Sequence, residues 1–351
     1  MTTETKPKVF GTGLIALDLV IGPDADAAIR AWAGGTCGNV LSILAYLGWD
    51  AYPIARMNSD MASKRVRADM AHWGVHLDHT DCAPTAHTPI VVQQIQRDPD
   101  GSPTHRFTWS CPYCGKWLPN FRPITVKMAD DLSDAVREPC VFFLDRLSRG
   151  ALNLARDASA SGALVVFEPS ASSPANLMRD AARIAHVVKY ADNRLDGAPG
   201  VMERHSATLL EVQTLGATGV RYRHRLSEPA SDWMHLPAVQ APHVADTCGS
   251  GDWCTAGLLD HLARRGQQSF HCADDQDVRA ALRFGQTLAA WNCGFEGARG
   301  GMYAMSRNAL DSQIDNLRHG DPSYPTPATL PSSTTELVLC PSCSARVATP
   351  R

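Results

Sequence analysis

Short apolar runs alternate with segments of helical period along most of this chain, and that alternation restricts the fold more than any other feature. "KVFGTGLIALDLVIG" is strand-rich, "GNVLSILAYLG" reads as a helix closing on Gly48, "AYPIARM" as a strand and "MASKRVRADMAHWG" as a helix. The pattern resumes with "CVFFLDR", "ALVVFEPS", "HVVKYA" and "TLLEVQTLG" as strands, with "GALNLARDASASG" and "PANLMRDAARIA" as helices among them. A helix between successive strands favours parallel pairing, with the crossovers covering both faces of the sheet. The predicted class is therefore α/β, a mostly parallel central sheet with helices on both sides. "TPIVVQQIQRD" and "THRFTW", joined by "PDGSP", break the alternation and predict a small antiparallel flap over about residues 88–109. Near the end, "DPSYPTPATLPSSTT" is rich in proline, serine and threonine and has little to bury. It predicts a flexible linker over 321–336 between a main domain, 1–320, and a tail, 337–351.

Of the 351 residues 44% are hydrophobic, enough for a large core, and the formal net charge of -3 gives no global attraction to nucleic acid or an acidic membrane. No apolar run reaches the roughly 18 residues needed to span a bilayer, and "MTTETKPKVF" lacks the layout of a signal peptide. A cytoplasmic protein is expected, in which the eleven cysteines serve as thiols or metal ligands rather than as a disulfide frame.

The chemistry concentrates in "ADTCGSGDWCTAGLLDHL". From Trp253 onward the run is a plausible amphipathic helix, preceded by Gly249, Ser250, Gly251 and Asp252. An open helix N-terminus presents unpaired N–H groups and partial positive charge, and glycines there let an anion approach the backbone. A carboxylate beside it can take the proton of an attacking hydroxyl, which is what phosphoryl transfer requires. The same four residues also suit a plain helix cap, with Ser250 or Asp252 capping and the glycines making a turn. No G-K-[ST] follows, so this is not a P-loop.

"DTCGSGDWCTAGLL" closely resembles the second signature of the ribokinase-like (PfkB) family of sugar and nucleoside kinases, D-T-x-G-A-G-D, with Asp246, Thr247, Gly249, Ser250, Gly251 and Asp252 in its places. "AGGTCGNVLSILAYLG" resembles the first signature through Gly34, Gly35 and Asn39. "GTGLIALDLV" resembles the family's opening strand, with its acid at Asp18. "QTLGATGVRYR" resembles the nucleotide-side T-x-G-x-x-G through Thr214, Gly216 and Gly219. The elements stand in family order from about residue 8 to about residue 310.

The resemblance implies a Rossmann-like sheet with a small β lid over a sugar pocket, to which the flap strands contribute. It implies Asp252 as catalytic base and the N–H groups of Gly249, Ser250 and Gly251 as anion hole for a γ-phosphate. It further implies Asp18, Gly34, Gly35 and Asn39 in the sugar site, Thr214, Gly216 and Gly219 by the nucleotide, ATP and Mg2+ as cofactors, and a homodimer through the lid strands. The sequence departs from the family at the N-x-x-E element that organises the magnesium waters: Asn193 is followed three residues on by Asp196. Glu168, at the end of "FEPS", either compensates or caps the turn before Pro169. Trp253 stands where the family has a small residue, and either packs or narrows the pocket.

"SCPYCGKW" and "LCPSCSAR" place Cys111 with Cys114 and Cys340 with Cys343. Two such hooks complete a four-cysteine site for structural zinc, provided the tail folds back over more than two hundred residues of sequence. A redox pair or unrelated free thiols are the competing readings, and neither hook lies in a basic run that would suit RNA. The remaining cysteines read as small core residues, with Cys37 and Cys248, inside the motifs, accessible to thiol reagents. The function expected is an ATP-dependent kinase for a hydroxyl of a sugar. The alternatives are a nucleoside kinase of the same family and a non-catalytic sugar- or nucleotide-binding regulator with a zinc-bound tail.

Overall fold

The computed structural model describes residues 5–23, 29–82, 85–99, 101, 103–169, 173–194, 201–203, 206–319, 340 and 342–343. The large sheet is built from β1 (Lys8–Thr12), β4 (Asp50–Met57), β5 (Thr80–Cys82), β8 (Val141–Leu144), β9 (Leu164–Phe167), β10 (Val187–Ala191), β11 (Leu210–Thr214), β12 (Val220–His224) and β13 (Met234–Leu236). Its order is β13-β12-β11-β10-β9-β8-β1-β4-β5. Strands β5 to β11 in that order pair in parallel, and β12 and β13 close one edge antiparallel. A second sheet, β3-β2-β6-β7, comprises β2 (Ala16–Ile21), β3 (Arg30–Gly34), β6 (Ile90–Arg97) and β7 (Pro103–Thr108).

The helices are α1 (Thr36–Tyr46), α2 (Met61–His72), α3 (Val126–Leu132), α4 (Arg149–Ala160), α5 (Ala175–Ala182), α6 (Ser250–Leu262), α7 (Gln267–His271), α8 (Asp275–Asn292), α9 (Gly300–Tyr303) and α10 (Arg307–Arg318). Strands such as "VFFL" and "LVVF" are buried at every residue, as a sheet covered on both faces demands. Successive side chains alternate between two cores: Val141, Phe143 and Val166 pack with α1, α6 and α8, while Phe142, Leu144 and Val165 pack with α3, α4 and α5. Helix α6 is pressed onto α8 where Gly257 meets Gly285; a Cβ on Gly257 would come within 2.6 Å of the Gly285 Cα. That close approach fixes the start of α6 at one end of the sheet.

The α/β expectation holds, including the antiparallel flap formed by β6 and β7. The opening run, read as one strand-rich stretch, is two strands in different sheets. Gly13, whose missing Cβ leaves room for the Asp145 carboxylate, lies at the crossing from β1 to β2. Strands β3, β12 and β13 were not legible as strands; β3, "RAWAG", is short and interrupted by small residues. The linker at 321–336, the tail apart from Cys340, Ser342 and Cys343, and Asp196 lie outside the described residues. No helix among the described residues is long and apolar enough to cross a membrane.

Candidate active site

In open α/β sheets, ligands sit outside the carboxyl ends of the parallel strands. Here that edge carries Gly13 after β1, Asp145 after β8, Glu168 after β9, Asn193 after β10 and Thr214 at the end of β11. The start of α6 faces the same edge. Its N-cap, Gly249, has φ 76, and a Cβ there would run into the Ala298 carbonyl, so only glycine fits. The first intrahelical bond is Trp253 N–H to the Gly249 carbonyl at 3.0 Å, which leaves the earlier N–H groups of this turn outside the helical ladder. The sequence left open whether this was a cap or a cradle. No side chain caps the helix, and the Ser250 N–H turns back onto the Thr247 carbonyl at 3.3 Å.

Asp252 is buried in the first turn of α6. Asn39, from α1, donates its Nδ2 to Asp252 Oδ2 at 2.7 Å, and Arg299 Nε donates to Asn39 Oδ1 at 3.1 Å. Arg299 Nη2 also donates to the Ala33 carbonyl at 2.6 Å and meets Asp69 Oδ2 at 3.3 Å. Asn39 therefore orients the carboxylate, in addition to standing where the resemblance puts a sugar contact. Burial pushes the Asp252 pKa up to about 7, helped by the nearby Glu168 charge and opposed by the Asn39 hydrogen bond, Lys189 and Arg194.

Glu168 does not simply cap the turn before Pro169. Lys189 Nζ donates to one of its oxygens at 2.7 Å and Thr255 Oγ1 to the other at 2.6 Å. Burial works against the Lys189 charge, but Glu168 outweighs it and holds the ammonium pKa above its ordinary value. Gly251 packs against this pair, its Cβ position lying 3.5 Å from Lys189 Nζ. Trp253 packs: it is fully buried, its Nε1 donates to the Ala298 carbonyl at 3.1 Å, and its ring meets Trp291 edge-on.

The second sheet supplies the remaining wall. On β2, Asp18 lies opposite Trp32 of β3 and Val91 of β6, and Gln93 lies opposite Phe107 of β7. Alternation places Asp18, Gln93 and His105 on one face. That face meets the α6 loop, because Gln93 Nε2 donates to Asp246 Oδ2 at 2.5 Å and His105 Nδ1 stands 3.4 Å from Asp246 Oδ1. Burial alone would raise the Asp246 pKa. The nearby His105 and hydrogen bonds from the Cys248 and Gly297 N–H groups hold it below its ordinary value. Burial also pushes Asp18 up to about 7, against the Gly35 N–H and Arg299. A Cβ on Gly34 would fall inside the Asp18 carboxylate, and one on Gly35, at φ 76, would strike the Leu14 carbonyl. Gly34→Ala is expected to lower stability by about 1–3 kcal/mol by displacing Asp18, measurable as a fall in Tm.

Thr214, Gly216 and Gly219 lie at the turn between β11 and β12, where the Thr214 carbonyl accepts from the Asp192 N–H at 3.1 Å. Gly219, at φ 111, is pressed against the Leu236–Ala238 backbone. Beside it a cavity of about 420 Å³ is lined by Pro237, Ala238, Arg279 and Arg283 among others. Cys37 and Cys248 are not accessible thiols: both are buried, and burial drives their pKa values well above the ordinary thiol range. Sequence reasoning missed Asp145, Lys189, Asp69, Gln93, His105 and Arg299. Only Asp145 and Arg299 had a signal, an acid directly after a strand and a lone base within "GARGG".

The two cysteine hooks do meet. The Sγ atoms of Cys111, Cys114, Cys340 and Cys343 all lie within 4.8 Å of one another.

A family model described as pfkB family carbohydrate kinase matches residues 142–304. Over that span the chain is similar to the pfkB family. No curated protein matches the chain in sequence. Among solved structures it is similar to a fructokinase with bound ATP from Xylella fastidiosa, at 21% identity and TM-score 0.67, covering 90% of this chain and 99% of that one. It is similar to a Burkholderia thailandensis nucleoside kinase in complex with inosine at 18% identity and TM-score 0.62, covering 88% and 96%. An Arabidopsis thaliana ribokinase complexed with ribose and ATP gives 16% identity, TM-score 0.62, and 88% and 99% coverage. The chain thus has the ribokinase-like fold along nearly its whole described length.

Proposed function

We propose that this protein is an ATP-dependent kinase that phosphorylates a hydroxyl of a sugar, with Asp252 as general base and the backbone of Gly249, Ser250 and Gly251 as the anion hole. The observation that carries the reading is the Asp252 carboxylate, buried at an uncapped helix start and held by Asn39. A base with a pKa of about 7 is deprotonated often enough at neutral pH to accept a hydroxyl proton, and basic enough to drive the transfer.

Asp18 and Gln93, on the inner lid face, would receive the sugar hydroxyls, with Gly34 and Gly35 giving the close backbone approach that their crowding requires. Thr214, Gly216 and Gly219 would lie along the nucleotide. The residues fit ATP, since Gly249 lets the chain turn close against the Ala298 backbone and the α6 N–H groups after it precede the helical ladder. Hard oxygen donors for magnesium are present in Asp252 and in Glu168. The two Glu168 oxygens already accept from Lys189 and Thr255, and would hold a metal-bound water only through their remaining lone pairs. ATP with magnesium supplies the phosphoryl group; the chain's own residues position the acceptor, exclude water and take its proton. A nucleoside as acceptor is the second reading, favoured by the aromatic Trp32 and Phe107 on the same lid face as Asp18. The four cysteines we read as a structural zinc site.

The test is ADP release with magnesium and ATP against a panel of sugars and nucleosides. One acceptor is expected to stimulate turnover; binding without turnover across the panel would move the non-catalytic reading ahead. With that acceptor, kcat/KM is expected to rise with pH through a midpoint near 7, because only ionised Asp252 accepts a proton. A profile flat from pH 5 to 9 would remove Asp252 as the base.

A further inference from the structure

The four-cysteine cluster lies at the foot of the lid. Strand β7 ends at Thr108, and the chain runs through Trp109 and Ser110 into the first hook. There Ser110 bridges to Trp117, Cys111 N–H donates to the Lys116 carbonyl at 2.8 Å, and Gly115 turns at φ 69 with its N–H on the Cys111 carbonyl at 2.9 Å. The returning leg gives Leu118 N–H to the Trp109 carbonyl at 2.8 Å. It then offers the Pro119 carbonyl to the N–H of Ile90, the first residue of β6, at 3.1 Å. One leg of the hook is thus continuous with β7 and the other is bonded to the start of β6.

The second hook, Cys340 to Cys343, is a turn closed by Cys343 N–H on the Cys340 carbonyl at 3.0 Å. Cys111 Sγ stands 3.8 Å from Cys343 Sγ, and Cys114 Sγ stands 3.8 Å from Cys340 Sγ. Each of these close pairs joins one cysteine from each hook, so the proximity comes from docking of the distant segment and not from Cys-x-x-Cys spacing. A tetrahedron with metal–sulfur bonds of about 2.3 Å has edges of about 3.8 Å, whereas a disulfide needs about 2.0 Å. The hook has little else to hold it: Tyr113 is 74% and Trp117 80% exposed, while only Cys111, Leu118 and the partly buried Cys114 turn inward. Such a small unit gains its order from a metal.

We propose that zinc held by Cys111, Cys114, Cys340 and Cys343 staples the C-terminal segment to the root of the lid, and that this staple holds β6 and β7 in place over the site. This rests on the zinc reading above. The mechanical route is short: β6 carries Gln93 and pairs with β2, which carries Asp18, and both Gln93 and His105 of β7 reach Asp246 in the loop that starts α6. Four thiolates this close repel one another, and a divalent cation that prefers tetrahedral sulfur removes that repulsion.

The experiment uses the full chain, purified without added metal, with zinc counted by elemental analysis and backbone amide exchange followed by mass spectrometry. One zinc per chain is expected, lost in Cys114→Ser and in Cys343→Ser. On removal of zinc by a chelator, amides of 90–108 are expected to exchange roughly tenfold faster or more, while those of β8, β9 and β10 hold, and added zinc restores the slow exchange. Chelation of the folded wild type keeps the test valid if a serine variant does not fold. Absence of zinc, or zinc retained by both variants, overturns the site. Zinc present with unchanged exchange at 90–108 overturns the staple and leaves the site standing. Neither readout uses phosphoryl transfer, so the kinase reading stands or falls separately.

Discussion

Asp252→Asn is expected to lower kcat by about 10²–10⁴-fold, the range that a positioned general base contributes, while raising Tm at pH 8. The two effects share one cause. In the folded chain the Asp252 pKa stands at about 7 against an ordinary value of 3.8, chiefly because burial penalises the charge. A raised carboxylate binds its proton more tightly in the native state than in the unfolded one. Its contribution to stability is complete below pH 3.8 and is lost as pH rises through 7. Above 7 the buried charge costs on the order of 4 kcal/mol at most, about three pKa units at 1.4 kcal/mol each. Asparagine keeps an oxygen for the Asn39 Nδ2 donor and carries no charge. The Tm difference between variant and wild type should therefore grow from pH 5 to pH 8. A difference independent of pH would mean that Asp252 is ionised without penalty, and the site would lose its tuned base.

The parts of this site that could be read from the sequence are those whose chemistry depends on backbone shape. Gly249 and Gly35 must be glycine because carbonyls of Ala298 and Leu14 occupy the space a Cβ needs, and such constraints leave a visible motif. The alternation of strands and helices was legible for the same reason, since burial on both faces forces apolar runs like "VFFL". Long-range polar partners leave no such trace. Nothing in "RADMAHW" says that Asp69 will meet Arg299, 230 residues on, and nothing in "VVQQIQ" says that Gln93, not Gln94, turns toward Asp246. The face is decided by strand register, and register is set by pairing with β2 and β7 rather than by local preference. The cysteine hooks were legible singly, but their meeting depends on where the chain travels after α10.

Arg299→Met carries the largest expected loss of stability, because Arg299 is the buried tie between three elements. Its guanidinium meets Asp69 of α2, the Ala33 carbonyl of β3 and Asn39 of α1, with only 1% of the side chain exposed. Breaking one side of a buried ion pair typically costs about 3–5 kcal/mol, since the remaining charge stays desolvated. Asp69 keeps the Tyr303 hydroxyl at 2.9 Å and the Ala33 N–H at 2.6 Å, so the lower end of that range is expected from urea unfolding. The functional consequence follows through Asn39. Without the Arg299 N–H, the Asn39 oxygen loses its donor, and only the ionised Asp252 carboxylate, which accepts and cannot donate, still selects the Nδ2 orientation. The Asn39 hydrogen bond lowers the Asp252 pKa, so weakening it should move the midpoint of the pH–rate profile upward from about 7. Asn39→Leu, which removes the amide but leaves Arg299 paired with Asp69, should shift the midpoint in the same direction with a smaller loss of stability. If Arg299→Met lowers Tm and leaves the midpoint where it was, the arginine is a structural tie alone, and the orientation of the base is set from elsewhere.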